Sequence, residues 1–115
     1  MSLDYFKEEW EKRINKLKNA RKYLKVMKEV CVKEISPECR VILFGSVARG
    51  DYRLDSDVDV LVIVPNIKDE WDRSKISVKL HKAINSWDPF EIHVVTPEGY
   101  NNWYSKFIDV WEEIT

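Results

Sequence analysis

Residues 40–64 read RVILFGSVARGDYRLDSDVDVLVIV, and the fold turns on this stretch. Arg40 to Phe44 is a short β-branched and aromatic run closed by Gly45, the pattern of a buried strand that ends in a turn. Asp57 to Val64 reads as a second strand, stopped by Pro65. Its Val60–Val64 part is apolar on both faces, so Asp57 and Asp59 sit at the edge of a buried element. Residues two apart on a strand share a face, about 6.6 Å apart at roughly 3.3 Å per residue. Strand interiors disfavour aspartate, and two in alternation need a reason. Both carboxylates can reach one divalent cation, or bracket a pair about 3.5–4 Å apart; the plain alternative is a solvated strand end. Gly45-Ser46 stands where the first strand ends. A glycine there lets the backbone approach a phosphate, and a helical turn after it would aim free amides at the anion. Taken alone, such a pair is most often an ordinary turn.

Upstream, Leu3, Phe6, Trp10, Ile14, Leu17, Leu24, Met27 and Cys31 recur at three- and four-residue steps, with Ala20 bridging one gap. The pattern predicts roughly 30 residues of helix with a break near Asn19. The stripe reads as core, and the alternative is that Leu3, Phe6 and Trp10 overhang the domain and meet a partner protein or a second copy of the chain. Downstream, Asp69 to Asn85 is a helix with Ile76, Leu80 and Ile84 on one stripe, and Trp87-Asp-Pro89 is a loop. Phe90 to Val95 is a third strand, with Phe90, Ile92 and Val94 on one face and Glu91, His93 and Val95 on the other. If it neighbours the second strand, Glu91 joins the two aspartates. His93 reads as a partly buried structural residue within reach of a substrate, His81 as surface, and Trp71, Trp87 and Trp103 as packing rather than base-stacking residues. Thr96-Pro97-Glu98 supplies an N-cap, a first-position proline and a first-turn acid for a last helix that buries Tyr100, Trp103, Phe107 and Val110 or Trp111.

The whole is one α+β domain spanning residues 1–115, an N-terminal helical segment (1–36) followed by a core (37–115). No apolar run is long enough to span a membrane, and the first residues lack the apolar stretch of a signal peptide. Two cysteines, Cys31 and Cys39, are too few for a disulfide scaffold and are expected as reduced cytosolic thiols. Nineteen Lys and Arg face twenty Asp and Glu, a balance that argues against a dedicated nucleic-acid binder. The charge is uneven: residues 1–36 carry ten basic against six acidic side chains, and residues 37–115 nine against fourteen.

Gly45-Ser46, ten residues, then Asp57-x-Asp59 on a strand resembles the signature of the DNA polymerase β-like nucleotidyltransferase superfamily. The run GSVARGDYRLDSDVDVLVIV is similar to its minimal nucleotidyltransferase branch, including Ala48-Arg49-Gly50 and Ser56. The resemblance is close over residues 40–64 and extends over most of 37–112. It implies a small mixed sheet flanked by helices, and transfer of a nucleoside monophosphate from an NTP such as ATP with pyrophosphate leaving. By the same resemblance Gly45 and Ser46 hold the triphosphate, Arg49 meets phosphate charge, and Asp57 and Asp59 hold Mg²⁺, with two ions expected. The third acid of the family is usually an aspartate; Glu91 stands there, as a metal ligand or as the base that takes a proton from the incoming hydroxyl. Arg53, Lys75 and Lys79 are weaker phosphate candidates.

Larger superfamily members attach a substrate-reading domain, and the absence of a basic face in 37–115 disfavours tRNA or DNA as acceptor. Minimal members resemble the nucleotidyltransferase half of HEPN/MNT toxin–antitoxin pairs, which implies an antitoxin that adenylylates a tyrosine of a helical HEPN-type protein. Two other classes stay open: a catalytically silent nucleotide-binding module, and a metal-dependent phosphohydrolase.

Overall fold

The computed structural model describes residues 3–102, 104–106 and 108–115. Helix α1 (Leu3–Lys18) and helix α2 (Ala20–Glu34) divide at Asn19, the expected break. Both the backbone N–H of Asn19 and its side-chain amide donate to the Asn15 carbonyl, at 3.0 and 2.9 Å, which closes the first helix. Strands β1 (Arg40–Phe44), β2 (Val58–Ile63) and β3 (Phe90–Val95) lie where their apolar runs place them, with α3 (Gly45–Arg49) after β1 and α4 (Glu70–Ala83) between β2 and β3. Asp69 caps α4 by accepting from the Asp72 N–H at 2.9 Å. Thr96 caps the short α5 (Pro97–Asn102) by accepting from the Gly99 N–H at 3.0 Å.

The sheet order is β3-β2-β1-β4, with β4 formed by Trp111–Ile114. β1 runs antiparallel to both β2 and β4, while β2 and β3 are parallel, joined by the α4 crossover. The sheet is therefore mixed, as the resemblance implies. One face is buried against α2, α4 and the end of α1: Leu17, Leu24 and Met27 pack on Val41, Leu43, Val58, Val60, Val62, Leu80 and Val94. The opposite face is smaller. Ile42, Leu61, Ile63 and Val95 pack there with Phe44 of β1 and with Tyr100, Tyr104 and Ile108 from the α5 side. Among the described residues no helix is long and apolar enough to cross a membrane.

Several expectations need correcting. The last helix stops at Asn102; a 3₁₀ turn follows at Tyr104–Lys106 and the chain then returns as β4. Tyr100 is half-buried as expected, but Val110 and Trp111 are exposed; Trp103 and Phe107 lie outside the described residues. The edge strand is held by ion pairs as well as by its ladder. The Arg40 guanidinium forks onto Glu113 at 2.8 and 2.9 Å and holds that carboxyl below the usual carboxylate range, and Arg21 pairs with Glu112 at 2.9 Å. Cys31 and Cys39 are joined in a disulfide rather than free, because the Ser36–Cys39 turn brings the end of α2 to the start of β1 with Cα atoms 6.0 Å apart. His81 is buried, not on the surface: Trp87 stacks on its ring at 4.3 Å and Nδ1 meets the Ser86 carbonyl at 3.0 Å. Of the N-terminal stripe, Leu17, Leu24, Met27 and Cys31 enter the core, whereas Leu3, Phe6 and Trp10 overhang it.

Candidate active site

The candidate site lies at the open end of the smaller sheet face. Phe44 pairs with Asp59 across β1 and β2, and Asp59 pairs with Glu91 across β2 and β3. Register and pleat thus put Asp59 and Glu91 side by side on the face that holds Leu61 and Ile63. His93, two residues beyond Glu91, shares this face, its Nε2 lying 3.5 Å from Glu91 Oε1. One ligand atom from each of Asp59, Glu91 and His93 lies within 4.8 Å of the other two. Phe44 and Tyr104 flank the imidazole at ring distances of 5.9 and 6.1 Å.

Asp59 is the most perturbed of the acids. Burial, then the charge of Glu91, pushes its carboxyl up to about 6, while His93 pulls in the other direction. Two carboxylates held this close at a partly desolvated strand end are a poor arrangement for stability and a suitable one for a divalent cation.

Gly45 explains itself through Asp59. Its φ is +77°, in the left-handed region, and a Cβ at this position would lie 2.2 Å from Asp59 Oδ2. The backbone at the start of α3 therefore runs directly against the carboxylate, an approach open to glycine alone. Ser46 follows in the same turn, and its carbonyl closes α3 by accepting from the N–H groups of Gly50 and Asp51.

Asp57 stands just before β2, and its charge is felt by Asp59. Its carboxylate is also engaged elsewhere: Oδ1 accepts from Arg13 Nη2 at 3.3 Å. Arg13 was not foreseen as a site residue. From α1 it donates to the Leu54 carbonyl at 2.7 Å, to the Ser56 carbonyl at 2.6 Å and to the Asp88 carboxylate, so one side chain clasps the loop before β2 to the loop before β3. A signal for it existed. Arg13 lies three residues after Trp10 and four before Leu17, on the inward stripe of the helix, where a charged residue needs partners. Arg49 meets Asp51 at 3.3 Å and Asp109 at 3.9 Å, and the weaker candidates pair along the surface, Arg53 with Asp55, Lys75 with Asp72 and Lys79 with Glu34.

Comparison with known proteins identifies the family. The nucleotidyltransferase domain family model matches residues 24–113, and the chain belongs to that family. It is 57% identical over 37 residues to the protein named "Putative protein adenylyltransferase MJ0141" of Methanocaldococcus jannaschii; the match spans 32% of this chain and 37% of the relative. A crystal structure described as a putative nucleotidyltransferase superposes with a TM-score of 0.65 at 28% identity, covering 80% of this chain and 97% of that one. A second described in the same way, from Sulfolobus solfataricus, shares the fold with a TM-score of 0.56 at 23% identity, over 90% of this chain and 82% of its own.

Proposed function

We propose that the chain transfers a nucleoside monophosphate, AMP from ATP, to a hydroxyl of a partner protein, using a divalent cation held by Asp59 and Glu91 with Asp57 beside them. The observation that carries this reading is the contact of the Gly45 backbone with the Asp59 carboxylate, next to Glu91 in register. It brings the Gly-Ser turn and the acidic pair of the family motif into one place. The donors suit a divalent cation: three ligand atoms within 4.8 Å, two of them carboxylate oxygens whose mutual repulsion a cation relieves. When bound, the cation, Mg²⁺ by the family resemblance, neutralises phosphate charge and acidifies an attacking hydroxyl.

The chain's own residues do the positioning. Gly45 lets the turn seat against the Asp59 carboxylate, and Ser46 adds a hydroxyl in the same turn. Asp59 and Glu91 fix negative charge at the strand mouths, and Arg13 holds the loop that carries Asp57. Neither cysteine is available as a nucleophile, since both are in the disulfide. In this reading positioning and charge compensation, rather than a thiol nucleophile, carry the reaction.

A protein acceptor is supported by the name of the Methanocaldococcus relative and by the apolar overhang of Leu3, Phe6 and Trp10, which offers a partner surface. The finer reading is a tyrosine of a helical HEPN-type partner, in an antitoxin role in the cytoplasm. Calorimetry with ATP tests the site: binding that requires a divalent cation, and that is lost in the folded Asp57→Asn, Asp59→Asn double variant, supports it. Unchanged affinity in that variant would contradict it.

A further inference from the structure

The donor set around Asp59 is not all oxygen. Glu91 and His93 lie two apart on β3, on the face that bears Asp59, and their ligand atoms converge with its carboxylate within 4.8 Å. The first aspartate of the motif, Asp57, has Oδ1 3.3 Å from Arg13 Nη2. On the other side of Asp59, level with Leu61 in the register, the imidazole of His93 joins the two carboxylates.

We propose that His93 is a metal ligand and that the site prefers a first-row transition cation such as Mn²⁺ over Mg²⁺. This rests on the reading of Asp59 and Glu91 as cation ligands and adds the identity of the ion. Ligand atoms about 2.1–2.2 Å from one ion lie about 3 Å apart when cis and about 4.3 Å apart when trans. The observed Nε2–Oε1 separation of 3.5 Å and the 4.8 Å envelope reach that geometry through small side-chain rotations. Phe44 and Tyr104 keep the ring beside the carboxylates, and the face is open enough for an ion to enter, with about a third of the His93 side chain and half of Glu91 exposed.

The selectivity follows from ligand chemistry. Mg²⁺ takes oxygen donors in near-ideal octahedral geometry and gives up water reluctantly, so an imidazole adds little to its affinity. Transition cations bind imidazole nitrogen well, and the two carboxylates keep the site hospitable to Mn²⁺.

The test uses the full chain, Mn²⁺ and no nucleotide. Loss of the free-Mn²⁺ electron paramagnetic resonance signal gives the affinity, and pulsed measurement on the bound ion reports coordinated ¹⁴N. The expected result is nitrogen modulation in the wild type. In His93→Gln the modulation is lost and Mn²⁺ affinity falls at least about tenfold, while Mg²⁺ affinity, measured by competition, changes less than about twofold. Bound Mn²⁺ without nitrogen coupling in the wild type would overturn the proposal whatever the variant does, and leave nucleotidyl transfer untouched. Failure of Mn²⁺ to bind would overturn it as well, and would leave the proposed function to be decided by the cation dependence of ATP binding.

Discussion

The Asp59 carboxylate lies against the Cα of Gly45, so closely that a methyl group on that carbon would meet Oδ2 at 2.2 Å. A turn at the end of β1 and a carboxylate in β2 are thus one device, and a side chain added at Gly45 has to displace Asp59. Gly45→Ala should displace Asp59, cost about 2–4 kcal/mol through the clash and the left-handed backbone, and abolish cation-dependent ATP binding. Gly50→Ala is the matched comparison. Its φ is +84°, but nothing lies within 4 Å of the added carbon. That variant should lose about 1 kcal/mol and keep ATP binding. Chemical denaturation and calorimetry on the two variants check this, and equal loss of binding in both would count against a special role for Gly45.

Asp59 should make the cation-free protein less stable as pH rises. Its folded pKa of about 6 stands above the ordinary 3.8, so between these values the native state holds more protons than the unfolded state. Stability therefore falls as pH rises through that window, by roughly 1–2 kcal/mol once partial exposure is allowed for. Asp59→Asn should remove this slope and melt higher than the wild type at pH 7 without cation. Added divalent cation should raise the wild-type melting temperature and leave the variant unchanged. Melting curves from pH 4 to 8 that run parallel for the two proteins would exclude the explanation.

Arg13 ties α1 to both loops that enter the site. Arg13→Gln leaves the Leu54 and Ser56 carbonyls and the Asp57 and Asp88 carboxylates without their shared donor, at a cost of about 1–3 kcal/mol. Hydrogen exchange should accelerate in residues 54–58 while the centre of β2 stays protected. Arg13→Lys should recover little, because an ammonium cannot fork to several acceptors. Protection of the loop retained in Arg13→Gln would show that the clasp is incidental.

Phe6 and Trp10 are each 46% exposed on the overhanging part of α1. Phe6→Ser should therefore shift stability by less than about 1 kcal/mol, whereas Leu17→Ala, in the core, should cost about 2–5 kcal/mol. Urea unfolding of both variants checks that the stripe divides between Trp10 and Leu17.

What could be read from the sequence was local. The β1 run, the break at Asn19, the Asp69 helix start, the Thr96 cap and the facing of Glu91 all follow from neighbours within four residues. The adjacency of β3 and β2 stayed conditional in the sequence, and the register supplies it as a parallel pair joined through α4. What was missed depends on distant partners. β4 is four residues long and carries two glutamates, whose companions Arg21 and Arg40 lie 91 and 73 positions away. The Cys31–Cys39 bridge depends on how a turn folds back, and the burial of His81 depends on the stacking of Trp87. Arg13 was hidden for the same reason: its periodicity was visible, its four acceptors were not. Gly45 is the intermediate case. The turn was legible, but its contact with Asp59 needs the β1–β2 register.

Where a label travels separates nucleotidyl transfer from phosphohydrolysis and from silent binding. Parallel incubations of the chain with a divalent cation, the partner protein and ATP labelled at the α- or the γ-phosphate measure this directly. Nucleotidyl transfer predicts α-label bound to protein, γ-label released as pyrophosphate, and neither event in Asp59→Asn. Release of γ-label as inorganic phosphate, with no α-label on protein, would contradict it.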